Sequence, residues 1–149
     1  MRYFEAVEEE YRKSTEKGEV ILLPEKGTKH SAGYDFFAPK EFTAKAGRVT
    51  RIWSDVRVKM EEDETLILVS KSSLVYKYGL LSTGIIDADY YNNKETGGNV
   101  GLLIINEGIE DVKFQRGEKV LQGIFMKILN SKNGNTEEDR EGGFGSTGK

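Results

Sequence analysis

The stretch GIIDADY, Gly84 to Tyr90, holds two aspartates separated only by Ala88. In an extended chain Asp87 and Asp89 would point to the same side. A carboxylate held beside a bound water can take its proton as a general base; a hairpin with acidic turn residues would be spelled the same way. Upstream, SKSSL (Ser70–Leu74) sets one cation, Lys71, among Ser70, Ser72 and Ser73, directly after an apolar run. Such a cluster suits a phosphate oxyanion, and hydroxyls capping a turn suit it equally. In SAGYDFFAP (Ser31–Pro39), Asp35 follows Gly33 by two residues; RGEKVLQG (Arg116–Gly123) carries one amide, Gln122, in an apolar run. Read alone, these are a turn aspartate and a solvated glutamine.

The last eight residues, GGFGSTGK (Gly142–Lys149), contain Gly143, four residues, then Gly148-Lys149. That is most of the phosphate-loop pattern, without the Ser or Thr that should follow. A phosphate loop sits between a strand and a helix. Here the motif follows the polar stretch NSKNGNTEEDREGG (Asn130–Gly143), which is too polar to bury a core. The phosphate-loop reading fails on context. A β domain over residues 1–130 and a flexible arm over 131–149 are expected.

Strand patterns must position these groups. RVTRIWSDVRVKM (Arg48–Met60) mostly alternates apolar and charged residues. ETLILVS (Glu64–Ser70), NVGLLIIN (Asn99–Asn106) and KVLQGIFMKIL (Lys119–Leu129) are short apolar runs between turn-forming clusters. RYFEAVEEEYRK is read as an edge strand, and YNNKETGG (Tyr91–Gly98) as a long hairpin loop. No long amphipathic helix is evident. Many short strands with glycine-rich turns predict an all-β sandwich, jelly roll or barrel.

The chain has 149 residues, a formal charge of −3, one histidine (His30) and no cysteine. These exclude a disulfide framework and a thiolate or histidine metal cage within one chain. The charge argues against general binding to nucleic acid. No apolar run approaches a membrane span. The opening MRYFEAVEEE lacks the apolar core of a secretory signal, so a cytoplasmic location is expected.

Taken in order, SAGYDFFAP, SKSSL, GIIDADY, RGEKVLQG and REGGFGSTG (Arg140–Gly148) resemble the five ordered motifs of the trimeric dUTPase family, of bacterial or phage type. AGYD and GGFGSTG are the specific matches, and the resemblance runs from about Arg2 to the end. It implies a distorted jelly-roll or β-clip barrel, assembled as a homotrimer with shared active sites and a mobile C-terminal arm. It implies Mg²⁺-dependent hydrolysis of dUTP to dUMP and pyrophosphate, which lowers dUTP and supplies dUMP for thymidylate synthesis. By matching positions, Asp87 would be the general base and Tyr90 would pack under the deoxyribose, excluding a 2′-hydroxyl. Lys71, Ser72, Ser73 and Gln122 would contact the phosphates. Asp35 would support the metal through water. Backbone groups around Ile85 and Ile86 would read uracil. Phe144 would stack on the base, with Gly145 allowing close approach, and Arg140, Ser146 and Thr147 would grip the γ-phosphate.

Some positions depart from the family. Lys71 stands where arginine is usual, which keeps the charge and loses the bidentate fork. Residues 79–87 are shorter than usual, with Ser82 and Thr83 in place of a common asparagine, which bears on uracil selectivity. Tyr91-Asn92 replaces Arg-Gly and the hairpin is extended. Two other readings follow. One is a dCTP deaminase relative sharing the fold. The other is an interaction protein whose 91–98 hairpin contacts a regulatory protein, as phage members of the family are said to do.

Overall fold

The computed structural model describes residues 1–140, 142, 147 and 148. Among them the strands are β1 (Tyr3–Ala6), β2 (Glu25–Lys26), β3 (Tyr34–Phe37), β4 (Phe42–Ala44), β5 (Val49–Trp53), β6 (Val56–Lys59), β7 (Glu64–Val69), β8 (Leu80–Asp87), β9 (Gly101–Asn106), β10 (Val112–Phe114) and β11 (Lys119–Lys127). One helix, α1 (Ser72–Tyr78), and 3₁₀ turns at Glu9–Tyr11 and Ala88–Tyr90 complete the described elements. The all-β expectation holds. No helix among the described residues is long and apolar enough to cross a membrane.

Seven strands join in the order β2-β3-β11-β7-β8-β9-β5, and β1-β6 and β10-β4 form two-stranded ribbons. The long strand β8 divides its partners. Thr83 to Asp87 pair antiparallel with β7, whereas Leu80 to Ser82 pair with β9. One strand thus serves two layers, which close around a core. Alternation fills that core. On β7, Leu66 and Leu68 point inward; on β9, Leu102 and Ile104 do; Phe36 and Leu121 arrive from β3 and β11, and all six are at most 1% exposed. Asn106 also lies in this layer, and its polarity is met: its Nδ2 donates to the carbonyls of Ala44 (2.8 Å) and Glu110 (2.9 Å), and its Oδ1 accepts from the Gly108 amide (2.9 Å).

Three expectations need correction. The alternating run Arg48–Met60 is not one strand. It breaks at Ser54-Asp55, where Asp55 takes a left-handed φ of 61°, and its halves pair with different strands, β5 with β9 and β6 with β1. The turn expected for the SKSSL hydroxyls to cap is the first turn of a helix: Ser72 and Ser73 open α1, which Gly79 ends in the left-handed conformation. Asp87 and Asp89 do not share a side by strand alternation, because β8 ends at Asp87 and Ala88–Tyr90 is a 3₁₀ turn. The N-terminal run does form an edge strand, but only over Tyr3–Ala6.

Candidate active site

One group of side chains gathers where β3, β11 and β7 meet. Asp35 of β3 is buried, its side chain 3% exposed, opposite Gln122 of β11. Lys71 Nζ reaches one Asp35 oxygen at 2.6 Å and Lys119 Nζ the other at 3.3 Å. A buried carboxylate needs such partners, and two cations on one anion leave an excess positive charge suited to phosphate. Gln122 donates from Nε2 to the Ser70 carbonyl at 3.1 Å. Its Oε1 lies where a side chain on Gly33 would begin: a Cβ there would come within 2.5 Å. The glycine of SAGYD is therefore explained by the glutamine of RGEKVLQG. Ser72 and Ser73 stand exposed on the first turn of α1, directly after Lys71.

A second group sits at the far end of β8. Asp87 and Asp89 are both exposed, and Arg140 bridges them: its guanidinium pairs with Asp87 and donates from Nε to Asp89 at 2.9 Å. Tyr90 is 4% exposed, with its hydroxyl donating to the Asn99 carbonyl at 2.8 Å. Burial raises its phenol pKa, against an opposing hydrogen bond with Thr96. Ile85 projects outward at 66% exposure, while Ile86 is in the core. Because the β8–β9 ladder stops at Ser82↔Ile104, backbone groups of Thr83–Asp87 that face away from β7 have no strand partner among the described residues.

The two groups do not meet in one chain. Lys71 lies just past Val69, which pairs with Thr83; Asp87 pairs with Thr65. Val69 and Thr65, the β7 positions level with the first and second groups, are four residue steps apart, about 14 Å at strand rise, and Lys71 lies two residues further on.

A family model described as dUTPase matches residues 19–148. The deoxyuridine 5'-triphosphate nucleotidohydrolase of Lactococcus lactis subsp. lactis is 38% identical over 133 residues, covering 86% of this chain and 89% of that protein. The chain belongs to the dUTPase family. Its activity is that of a dUTP diphosphatase. The enzyme of the same name from Rickettsia felis is 35% identical over 136 residues, covering 85% of this chain and 88% of that protein. The crystal structure of dUTPase from Streptococcus mutans superposes with a TM-score of 0.73 at 33% identity, covering 87% of this chain and 98% of that one. A mutant dUTPase of phage phi11 of S. aureus shares the fold at 23% identity, with a TM-score of 0.70, covering 93% of this chain and 97% of that one. The fold of this dUTPase is accordingly the family's distorted jelly roll.

Of the residues singled out from sequence, Asp35, Lys71 and Gln122 are joined in the first group, with Ser72 and Ser73 beside it. Asp87, Tyr90, Ile85, Ile86 and Arg140 belong to the second. Thr147 is exposed. Phe144, Gly145 and Ser146 lie outside the described residues. Sequence reasoning missed Lys119. A register shift between Lys119 and Leu121 in the pairing of β11 with β3 brings it to Asp35, and no local pattern announces a bulge of that kind. It also missed Asn93, whose Oδ1 accepts from the Glu95 and Thr96 amides (2.9 and 3.1 Å) and shapes the loop after Tyr90. That loop packs inward: Asn93, Gly97, Gly98 and Asn99 are buried, and the Tyr11 ring lies against Gly97. Tyr91 contacts Glu5 through its hydroxyl and stacks under the Arg57 guanidinium at 4.5 Å. Burial, with the neighbouring Glu5, raises its phenol pKa strongly.

Proposed function

We propose that this dUTPase hydrolyses dUTP by attack of water on the α-phosphorus, in sites shared between the chains of a homotrimer. The single observation that carries this reading is the separation of the two groups along β7 and β8. A base and a phosphate-binding cluster about 14 Å apart cannot act on the same phosphorus. The cluster of one chain would therefore face the Asp87 end of another, as closed cyclic symmetry allows.

In such a site the Asp87 carboxylate takes a proton from water, the oxygen attacks the α-phosphorus, and the bond to the bridging oxygen breaks to release pyrophosphate. The demand is chiefly electrostatic. Lys71 and Lys119 turn from Asp35 toward phosphate oxygens, and Ser72, Ser73 and Gln122 add hydrogen bonds. The unpaired side of β8 offers backbone donors and acceptors to the uracil edge around Ile85 and Ile86. Tyr90 packs on the deoxyribose where a 2′-hydroxyl would stand. Arg140 leaves Asp87 and Asp89 for the γ-phosphate, carrying Phe144, Gly145, Ser146 and Thr147 over the nucleotide.

Mg²⁺ would neutralise triphosphate charge. Among the described residues no three His, Cys, Asp or Glu side chains cluster as a metal cage, and both Asp35 oxygens are engaged by lysines. These residues fit a hydrated ion carried by the triphosphate, with Asp35 reaching it through water. A structural Mg(II) ion is described for the phage phi11 relative. Of residues 91–98, little beyond Asn92, Lys94 and Glu95 is exposed, which does not favour a regulatory partner there.

Pyrophosphate release from dUTP, dCTP, dTTP and UTP, each with and without Mg²⁺, tests the reading. Release from dUTP alone, dependent on Mg²⁺, is expected. Comparable release from UTP or dTTP, or ammonia from dCTP, would overturn it.

A further inference from the structure

A buried carboxylate outside the site is joined to Tyr90 through one intermediate residue. Asp55, at the corner between β5 and β6, is 0% exposed. Its Oδ1 accepts from the Lys13 amide (2.8 Å) and from Asn99 Nδ2 (2.8 Å). Its Oδ2 accepts from the Ser14 and Thr15 amides (2.9 and 2.8 Å) and from Thr15 Oγ1 (2.8 Å). Burial opposes the charge, yet these donors hold the carboxyl below its ordinary pKa. Asn99, 1% exposed, is gripped at both ends of its amide, since its Oδ1 also accepts from the Asp55 amide at 2.9 Å. Its Nδ2 further donates to the Tyr11 carbonyl at 3.1 Å. The carbonyl of this immobilised residue is the one that receives the Tyr90 hydroxyl.

We propose that Asp55 is a positioning residue for sugar discrimination: by fixing Asn99 it aims the Tyr90 ring at the face of the deoxyribose. The inference rests on the reading of Tyr90 given above. A phenol ring excludes a 2′-hydroxyl only if it cannot swing aside, and its buried hydroxyl is the handle that prevents this. A charged corner is a costly way to turn a chain, because an uncharged residue tolerant of positive φ would turn it as well. The backbone amide would hold Asn99 Oδ1 whatever the residue, but only a side-chain acceptor holds Asn99 Nδ2, which gives the carboxylate a purpose that the turn alone does not.

The test compares kcat/KM for dUTP and UTP in the wild type, Tyr90→Phe, Asp55→Asn and the double variant, with folding checked by melting at the assay temperature. Tyr90→Phe keeps the ring and removes the handle. Each single change should lower the dUTP:UTP ratio about three- to tenfold, the scale of one lost hydrogen bond, mainly by raising UTP turnover. The double variant should match Tyr90→Phe alone, because both act through one contact. A ratio unchanged in Tyr90→Phe, or losses that multiply in the double variant, would overturn the proposal. Should Asp55→Asn melt below the assay temperature, Thr15→Val replaces it in the same cycle. Tyr90→Ala separates the layers: an unchanged ratio there refutes the sugar reading of Tyr90 itself. A relaxed ratio in Tyr90→Ala with an unchanged one in Tyr90→Phe refutes only the role of Asp55.

Discussion

A general base must be reached by water, and Asp87, with its side chain 54% exposed, meets that condition at the end of a rigid strand. Asp87→Asn preserves shape and removes the proton acceptor. Turnover of dUTP should fall about 10²–10⁴-fold with nucleotide affinity retained, as single-turnover kinetics and titration with a non-hydrolysable analogue would show. Gly33 offers a second test at this scale. In Gly33→Ala the new methyl would meet Gln122 Oε1 at 2.5 Å, and the amide must leave the Ser70 carbonyl. Melting should register a loss of about 1–3 kcal/mol, and kcat/KM for dUTP should drop; unchanged kinetics would mean that Gln122 is no part of the site. At this scale the motifs singled out Asp35, Lys71, Asp87 and Tyr90, which the structure gathers in its two groups. Lys119 was not legible, because its approach to Asp35 depends on a bulge, and neither was Asn99, because its contribution is a backbone carbonyl held by a distant side chain.

Among the elements, the core strands β7, β9 and β11 were readable as short apolar runs between turn-forming clusters. The corner at Ser54-Asp55 was not. Its letters continue the alternation, and what breaks the strand is a carboxylate bonded to residues 13–15, some forty positions away. Helix α1 escaped notice because seven residues carry too little periodicity. The Asp55 corner also makes a pH prediction. Its folded pKa lies below the ordinary aspartate value, so it contributes stability that is complete above about pH 4 and is lost as pH falls through the folded value. Wild-type Tm should decline on acidification below about pH 4, whereas Asp55→Asn should start lower and decline less over that interval. Parallel Tm curves would mean that the charge of Asp55 contributes nothing to folding.

For the whole molecule, the decisive feature is that the motifs, ordered along the entire sequence, resolve into two groups about 14 Å apart in one chain. The order of motifs was visible in the sequence. Their separation into two groups was not, since it follows from how β7 and β8 are paired. If the site is shared, a chain defective in one group can be complemented by a chain defective in the other. The most direct measurement mixes Asp87→Asn with Lys71→Ala subunits at equal amounts, by co-expression or reassembly, after light scattering has established a mass near three times 16.8 kDa. Random assembly places an intact cluster opposite an intact Asp87 in about one quarter of the sites, and about that fraction of wild-type dUTP hydrolysis should return although each variant alone is nearly inactive. Activity no greater than the sum of the two separate variants would contradict a shared site.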